Sequence, residues 1–169
     1  MQPKVILFFP TFVLNRSLDL ENIERGPCPQ GWEYYNERTR GFEREECLYK
    51  SHFRMDEYGI ALNHSDAAQK CEHMGGGLLT ILTHAKNEFV VNNFQWKGFY
   101  GEIYTDLVYR PSSSSWMWEQ AGIPLTTNSY TNWIDDRQAE NMNEESCMEI
   151  LPYTPKKWNP FSCNVNKFY

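Results

Sequence analysis

Several signatures of common functions are missing from this sequence. Its five cysteines, at 28, 47, 71, 147 and 163, contain no Cys-x-x-Cys pair, which argues against zinc ribbons and thiol redox centres. There is no Gly-x-Ser-x-Gly, no His-Glu-x-x-His and no framed pair of carboxylates, so the chain lacks a recognisable nucleophile, base and orienting group. Cys71 beside His64 or His73 is the one thiol–imidazole combination in view, and a disulfide partner on a core-facing helix accounts for it better. The run Gly75-Gly76-Gly77 has no following Lys-Ser/Thr, which excludes a phosphate loop. Twenty-two acids and sixteen bases are interleaved to a net charge of −6, so the basic footprint needed for nucleic acid or an anionic membrane is absent. The longest apolar run, Val5 to Leu14, is too short to span a bilayer as a helix, so no transmembrane segment is expected. No internal repeat is found, and low complexity is confined to Ser112–Ser115.

What is present points to a single secreted, disulfide-bonded domain. A chain of 169 residues buries a proper core, and six Trp and ten Tyr within 15% aromatics supply large anchors for it. Cysteines without metal spacing indicate an oxidising compartment. Asn15-Arg16-Ser17 and Asn63-His64-Ser65 fit the N-glycosylation pattern, which makes Asn15 and Asn63 the expected acceptors. Lys4 ahead of the apolar run resembles a secretory leader, although Pro10 interrupts it and the same run also suits a buried first strand. Residues 1–27 are accordingly read as a leader and linker, and residues 28–169 as the folded domain.

That domain opens on a turn at Cys28-Pro29-Gln30-Gly31, followed by Trp32 and an apolar alternation. The charged segment Glu37 to Glu46 is expected as an exposed excursion. Asn63 caps a helix running to Met74, with Asp66 three positions on and Ala67 and Cys71 sharing one face. The three glycines stop it, and Leu78-Leu79-Thr80-Ile81 follows as an apolar run. A second helix spans Thr83 to Asn93, with Thr83 as its cap. Trp116-Met117-Trp118, Cys147 to Leu151 and Val165 to Tyr169 read as strands.

Between Trp133 and Cys163 lies a stretch loaded with hard oxygen donors: Gln138, Glu140, Asn141, Glu145 and Asn159, the type calcium prefers. Its order is Trp133, Gln138-Ala139-Glu140, Glu145, Cys147, Trp158-Asn159-Pro160 and Cys163. Together with Cys28-Pro29-Gln30-Gly31-Trp32, Ala67, Cys71, Gly75, Gly76, Leu78 and Ile81, this order resembles the C-type lectin-like domain in its longer form. The poorest matches are His64, where the family has Trp, and Tyr104-Thr105-Asp106-Leu107, where it has Trp-Ile-Gly-Leu.

The resemblance implies an α+β fold, with two helices packed on small antiparallel sheets and a long irregular ligand-binding loop. It implies disulfides Cys147–Cys163 and Cys28–Cys47. It leaves Cys71 unpaired, because the family bonds this cysteine to one just past the final strand, and the chain stops at Tyr169, as in a truncated domain. Cys71 is then expected close to Phe168 and Tyr169. By position, Gln138, Glu140, Glu145 and Asn159 are the calcium and ligand residues. Two calcium-linked positions differ: Ala139 replaces a proline, and Pro160 replaces an aspartate. No tight calcium ion is therefore expected. The implied function is a binding module, not an enzyme, for a carbohydrate with weak or no calcium dependence, or alternatively for a protein ligand.

Overall fold

The computed structural model describes residues 4–10, 28–39, 42–50, 62–94, 102–140, 142–151 and 156–165. The apolar N-terminal segment contributes β1 (Lys4–Pro10), within the stretch read as leader and linker. The charged segment contributes no excursion. β2 (Glu33–Thr39) and β3 (Phe42–Lys50) pair antiparallel without a break, from Glu33 opposite Leu48 to Thr39 opposite Phe42. The physical reason is cross-strand charge: Glu37 stands opposite Arg44, and Arg38 opposite Glu43, with Arg38 Nε 2.6 Å from the Glu43 carboxylate. Opposite charges facing each other favour pairing, so a polar run makes a good hairpin. Its inner face is secured by Tyr35 and Leu48, both buried.

Both helices start where short polar side chains can hold free backbone N–H groups. At α1 (His64–His73) the Asn63 Oδ1 accepts the Asp66 N–H at 2.8 Å. That cap uses the oxygen alone, so it does not compete with glycosylation at the amide nitrogen. Gly75, at φ +81°, turns the chain out of the helix, and Gly76 N–H closes on the Cys71 carbonyl at 3.0 Å. At α2 (His84–Phe94) the Thr83 hydroxyl accepts the Lys86 N–H at 3.2 Å and donates to Glu37 at 2.9 Å. Tyr35 also donates to Glu37, at 2.7 Å, so one carboxylate ties the hairpin to the helix.

The remaining strands are β4 (Gly77–Leu78), β5 (Ile103–Arg110), β6 (Ser115–Trp118), β7 (Ile123–Pro124), β8 (Ser146–Ile150) and β9 (Trp158–Ser162). A single helical turn, α3 (Asp136–Glu140), interrupts the long loop. β5 lies at the centre, antiparallel to β6 and β8, and β9 adds to the far side of β8. β1 lies antiparallel to β3 and β4, and its start runs parallel to β5 at Ile103 and Tyr104. Two helices on antiparallel strand pairs give the α+β architecture.

Disulfides join Cys28 to Cys47 and Cys147 to Cys163, and Cys71 is free and buried against Ala67, Leu78 and Tyr104. Burial also pushes its thiol pKa up. Phe168 and Tyr169, and the strand expected to end there, lie outside the described residues apart from Val165, which is exposed.

The core is a chain of tryptophans. Trp158 has no exposed surface, meets Trp118 and Trp133 edge-on at 5.8 and 5.5 Å, and donates through Nε1 to Asn87 Oδ1 at 2.9 Å. Trp133 in turn meets Trp116 at 4.9 Å, which carries the core out to the long loop. Aromatic pairs in this arrangement gain beyond their buried area.

Candidate ligand site

Among the described residues, those singled out between positions 138 and 159 are held by different partners. The triplet Gln138-Ala139-Glu140 lies within α3, where Ala139 N–H donates to the Asp135 carbonyl at 3.3 Å. Alanine suits this helical turn, where a proline would lack the N–H that Ala139 donates. Ala139 is buried, and its carbonyl accepts the Trp116 indole N–H at 2.9 Å. That bond pins the turn to β6. The side chain of Gln138, Asn141 and the acceptor Asn15 lie outside the described residues.

Glu145 is engaged elsewhere. Arg110, at the end of β5, directs Nη1 to the Glu145 carboxylate and Nε to Glu119 Oε1 at 2.8 Å, with Nη2 closing on the same Glu119 oxygen. One guanidinium thus bridges two carboxylates that approach from β6 and from the loop before β8, a planar fork suited to such pairing. Asn159 is engaged on another strand. Its amide donates to Glu149 Oε1 at 2.8 Å, a cross-strand pair between β8 and β9. Pro160 continues β9 opposite Met148 and offers no side-chain oxygen.

A divalent ion requires several oxygens aimed at one point. Among the described residues no three His, Cys, Asp or Glu side chains form such a group. Among the described residues, Glu145 and Asn159 are instead held by protein partners, and Arg110 supplies the positive charge beside Glu145 and Glu119.

Glu140 faces a different feature. A cleft of about 540 Å³ opens between the β5–β6 turn and the loop from Leu125 to Glu140. The buried rings Tyr109, Trp116 and Trp133 line it, together with Thr127, Thr131, Asp136 and Glu140. The sequence reading missed both Arg110 and this cleft. Arg110 is the one basic residue of β5, and that isolation is the signal that marks it. The threonines carried none, because hydroxyls in a loop look like ordinary solvation.

His64 also differs from expectation in what it does. It is buried, its Nε2 lies 2.7 Å from the Thr105 carbonyl, and burial lowers its pKa, so the ring ties α1 to β5 as a neutral donor.

The comparisons with known proteins bear on this arrangement. The family model for the lectin C-type domain matches residues 60–169. A perlucin-like protein of Mytilus galloprovincialis is 28% identical over 142 residues, covering 83% of this chain and 78% of that protein. The secretory phospholipase A2 receptor of Oryctolagus cuniculus is 30% identical over 103 residues, 61% of this chain but 7% of the receptor. The carbohydrate-recognition domain of the mouse scavenger receptor C-type lectin superposes with a TM-score of 0.55 at 22% identity, covering 82% of this chain and 89% of that one. That likeness is one of fold. The chain thus spans a small fraction of the receptor it matches and most of the perlucin-like protein. With the family model covering more than half of its length, the chain belongs to the lectin C-type domain family.

Proposed function

We propose that this chain is an extracellular recognition domain that binds a carbohydrate without calcium, and that it binds rather than turns over its ligand. The observation that carries this reading is the Arg110 guanidinium bridging Glu119 and Glu145. A fixed internal cation does there what a bound ion does elsewhere: it neutralises the carboxylates and holds the loop before β8 against the β5–β6 turn. Unlike an ion, it leaves no open coordination position for a sugar hydroxyl. The name of the mouse scavenger receptor domain supports a carbohydrate as ligand class. A protein ligand is the second reading, favoured by the similarity to a receptor named for a phospholipase.

Extracellular location, and glycosylation at Asn15 and Asn63, belong to the same proposal. Among the described residues no helix is long and apolar enough to cross a membrane. Intact mass of the secreted protein, before and after endoglycosidase, reads both the acceptors and the mature N-terminus. A start beyond residue 10 removes β1 from the sheet.

Calcium calorimetry tests the central claim. We expect no saturable heat in the micromolar range and the same glycan binding in EDTA as in calcium. Micromolar binding that disappears in Glu145→Ala overturns the reading.

A further inference from the structure

We infer that the cleft between the β5–β6 turn and α3 is a calcium-free site for a hydroxylated ligand that carries a protonated amine, an amino sugar in chemical class. The inference rests on the calcium-free reading above and adds to it the place and the chemistry of recognition.

Size comes first. A volume of about 540 Å³ falls within the range of small-ligand sites. The wall that Tyr109, Trp116 and Trp133 form is rigid, because each is buried and Trp116 is fixed by its bond to the Ala139 carbonyl. A rigid wall reduces the ordering cost of binding.

The polar groups then select the ligand. Tyr109 lines the cleft, and its hydroxyl makes no hydrogen bond to another described residue. Thr127 and Thr131 likewise have no side-chain partner among the described residues, whereas Thr126 and Ser129 satisfy one another at 3.2 Å. Three hydroxyls left for a ligand suit a ligand that can both give and accept hydrogen bonds.

Charge supplies the last element. Among the described residues, the two ionisable carboxylates on the cleft, Asp136 and Glu140, have no ion-pair partner, and no Lys, Arg or His lines it. Arg110, the nearest cation along β5, is committed to Glu119 and Glu145. An anionic wall beside aromatic rings attracts an ammonium group and repels a carboxylate or sulfate ester. Neutral sugars meet the hydroxyls but leave this charge unused.

The test is a titration of the full chain in EDTA, followed by tryptophan fluorescence and calorimetry, with glucosamine, N-acetylglucosamine and glucose as probes. The three share a ring and differ in the substituent at C2, which is charged only in glucosamine. Glucosamine is expected to bind about tenfold more tightly than either neutral sugar, the size of one charge-assisted hydrogen bond. Glu140→Gln and Asp136→Asn should each abolish that preference, and Tyr109→Phe should weaken all three probes alike. These variants keep side-chain volume, and unchanged far-ultraviolet circular dichroism shows that they remain folded. Equal affinity for the three sugars overturns the amine assignment. No binding of glucosamine in either EDTA or calcium overturns the site while leaving the calcium-free fold argument standing. Binding that requires calcium overturns the proposed function and this inference together.

Discussion

Two clusters of charge in this domain share a plan and differ in setting. In one, the Glu46 carboxylate lies between Arg44 and Lys86; in the other, the Arg110 guanidinium lies between Glu119 and Glu145. Each is a central group flanked by two partners of opposite sign, assembled from separate elements. Glu46 and Lys86 are each 1% exposed, whereas the Arg110 cluster keeps 35% to 43% of its side-chain surface. Burial turns the first into a structural commitment, because ions taken out of water must be paired. Solvent makes the second cheap to rearrange.

The largest expected effect comes from breaking the buried cluster. Glu46→Gln leaves the Lys86 ammonium without its carboxylate and is expected to cost about 3–5 kcal/mol by urea unfolding. Replacing both partners, Glu46→Leu with Lys86→Met, should recover most of that loss, since the volume is kept and Arg44, at 20% exposure, can still reach solvent. If the double variant is as unstable as the single, the pair contributes more than mutual neutralisation.

Much of the fold was legible before any coordinates. Asn63, Gly75 and Thr83 mark helix ends through chemistry that acts over three or four residues, and the spacing of Trp116, Trp118, Trp133 and Trp158 outlines the core. Both bridges in the structure are those that the family resemblance implies. The features that escaped depend on distant partners. The Glu37 to Glu46 segment looked like an excursion because each charge was read alone, while its partners lie across the hairpin. Arg110 finds Glu145 from 35 positions away, and α3 is held by Trp116 from 23 positions away. A local reading counts oxygens in the loop but does not say where they point.

The second effect is a pH dependence, and it sharpens the contrast because only buried groups are displaced far. Asp106 lies next to the buried cluster, bonded through Oδ2 to the Gln120 N–H at 3.2 Å, and burial raises its pKa from 3.8 to about 7. Burial likewise lowers Lys86 from 10.5 to about 8, against the pull of Glu46. A carboxyl with a raised folded pKa binds its proton more tightly when folded. Its contribution is full below pH 3.8 and is lost as pH rises to about 7. The expected loss is roughly 3–4 kcal/mol from this group alone. Asp106→Asn should remove that component, so the difference in unfolding free energy between variant and natural chain changes between pH 4 and 7. A constant difference over that range refutes the assignment. Lys86 acts oppositely, with its cost present below about pH 8 and relieved as pH rises toward 10.5.

The smallest effect on stability is expected at Arg110, and it is the one that bears on function. Arg110→Gln removes a partly exposed ion pair network and should change unfolding free energy by about 1 kcal/mol or less. It also leaves Glu119 and Glu145 close together without their cation. Two uncompensated carboxylates repel, and capture of a proton or a metal ion relieves that repulsion. The variant should therefore gain what the natural chain is proposed to lack: a melting temperature higher in millimolar calcium than in EDTA, since a ligand that binds only the folded state stabilises it by mass action. The gain should be modest, because Pro160 supplies no carboxylate and the α3 turn stays bonded to Trp116 through Ala139. A variant as indifferent to calcium as the natural chain would mean that Arg110 fills a space no ion can use. The cause of the proposed calcium independence would then lie in the helical turn at Ala139, which no change of charge at Arg110 alters.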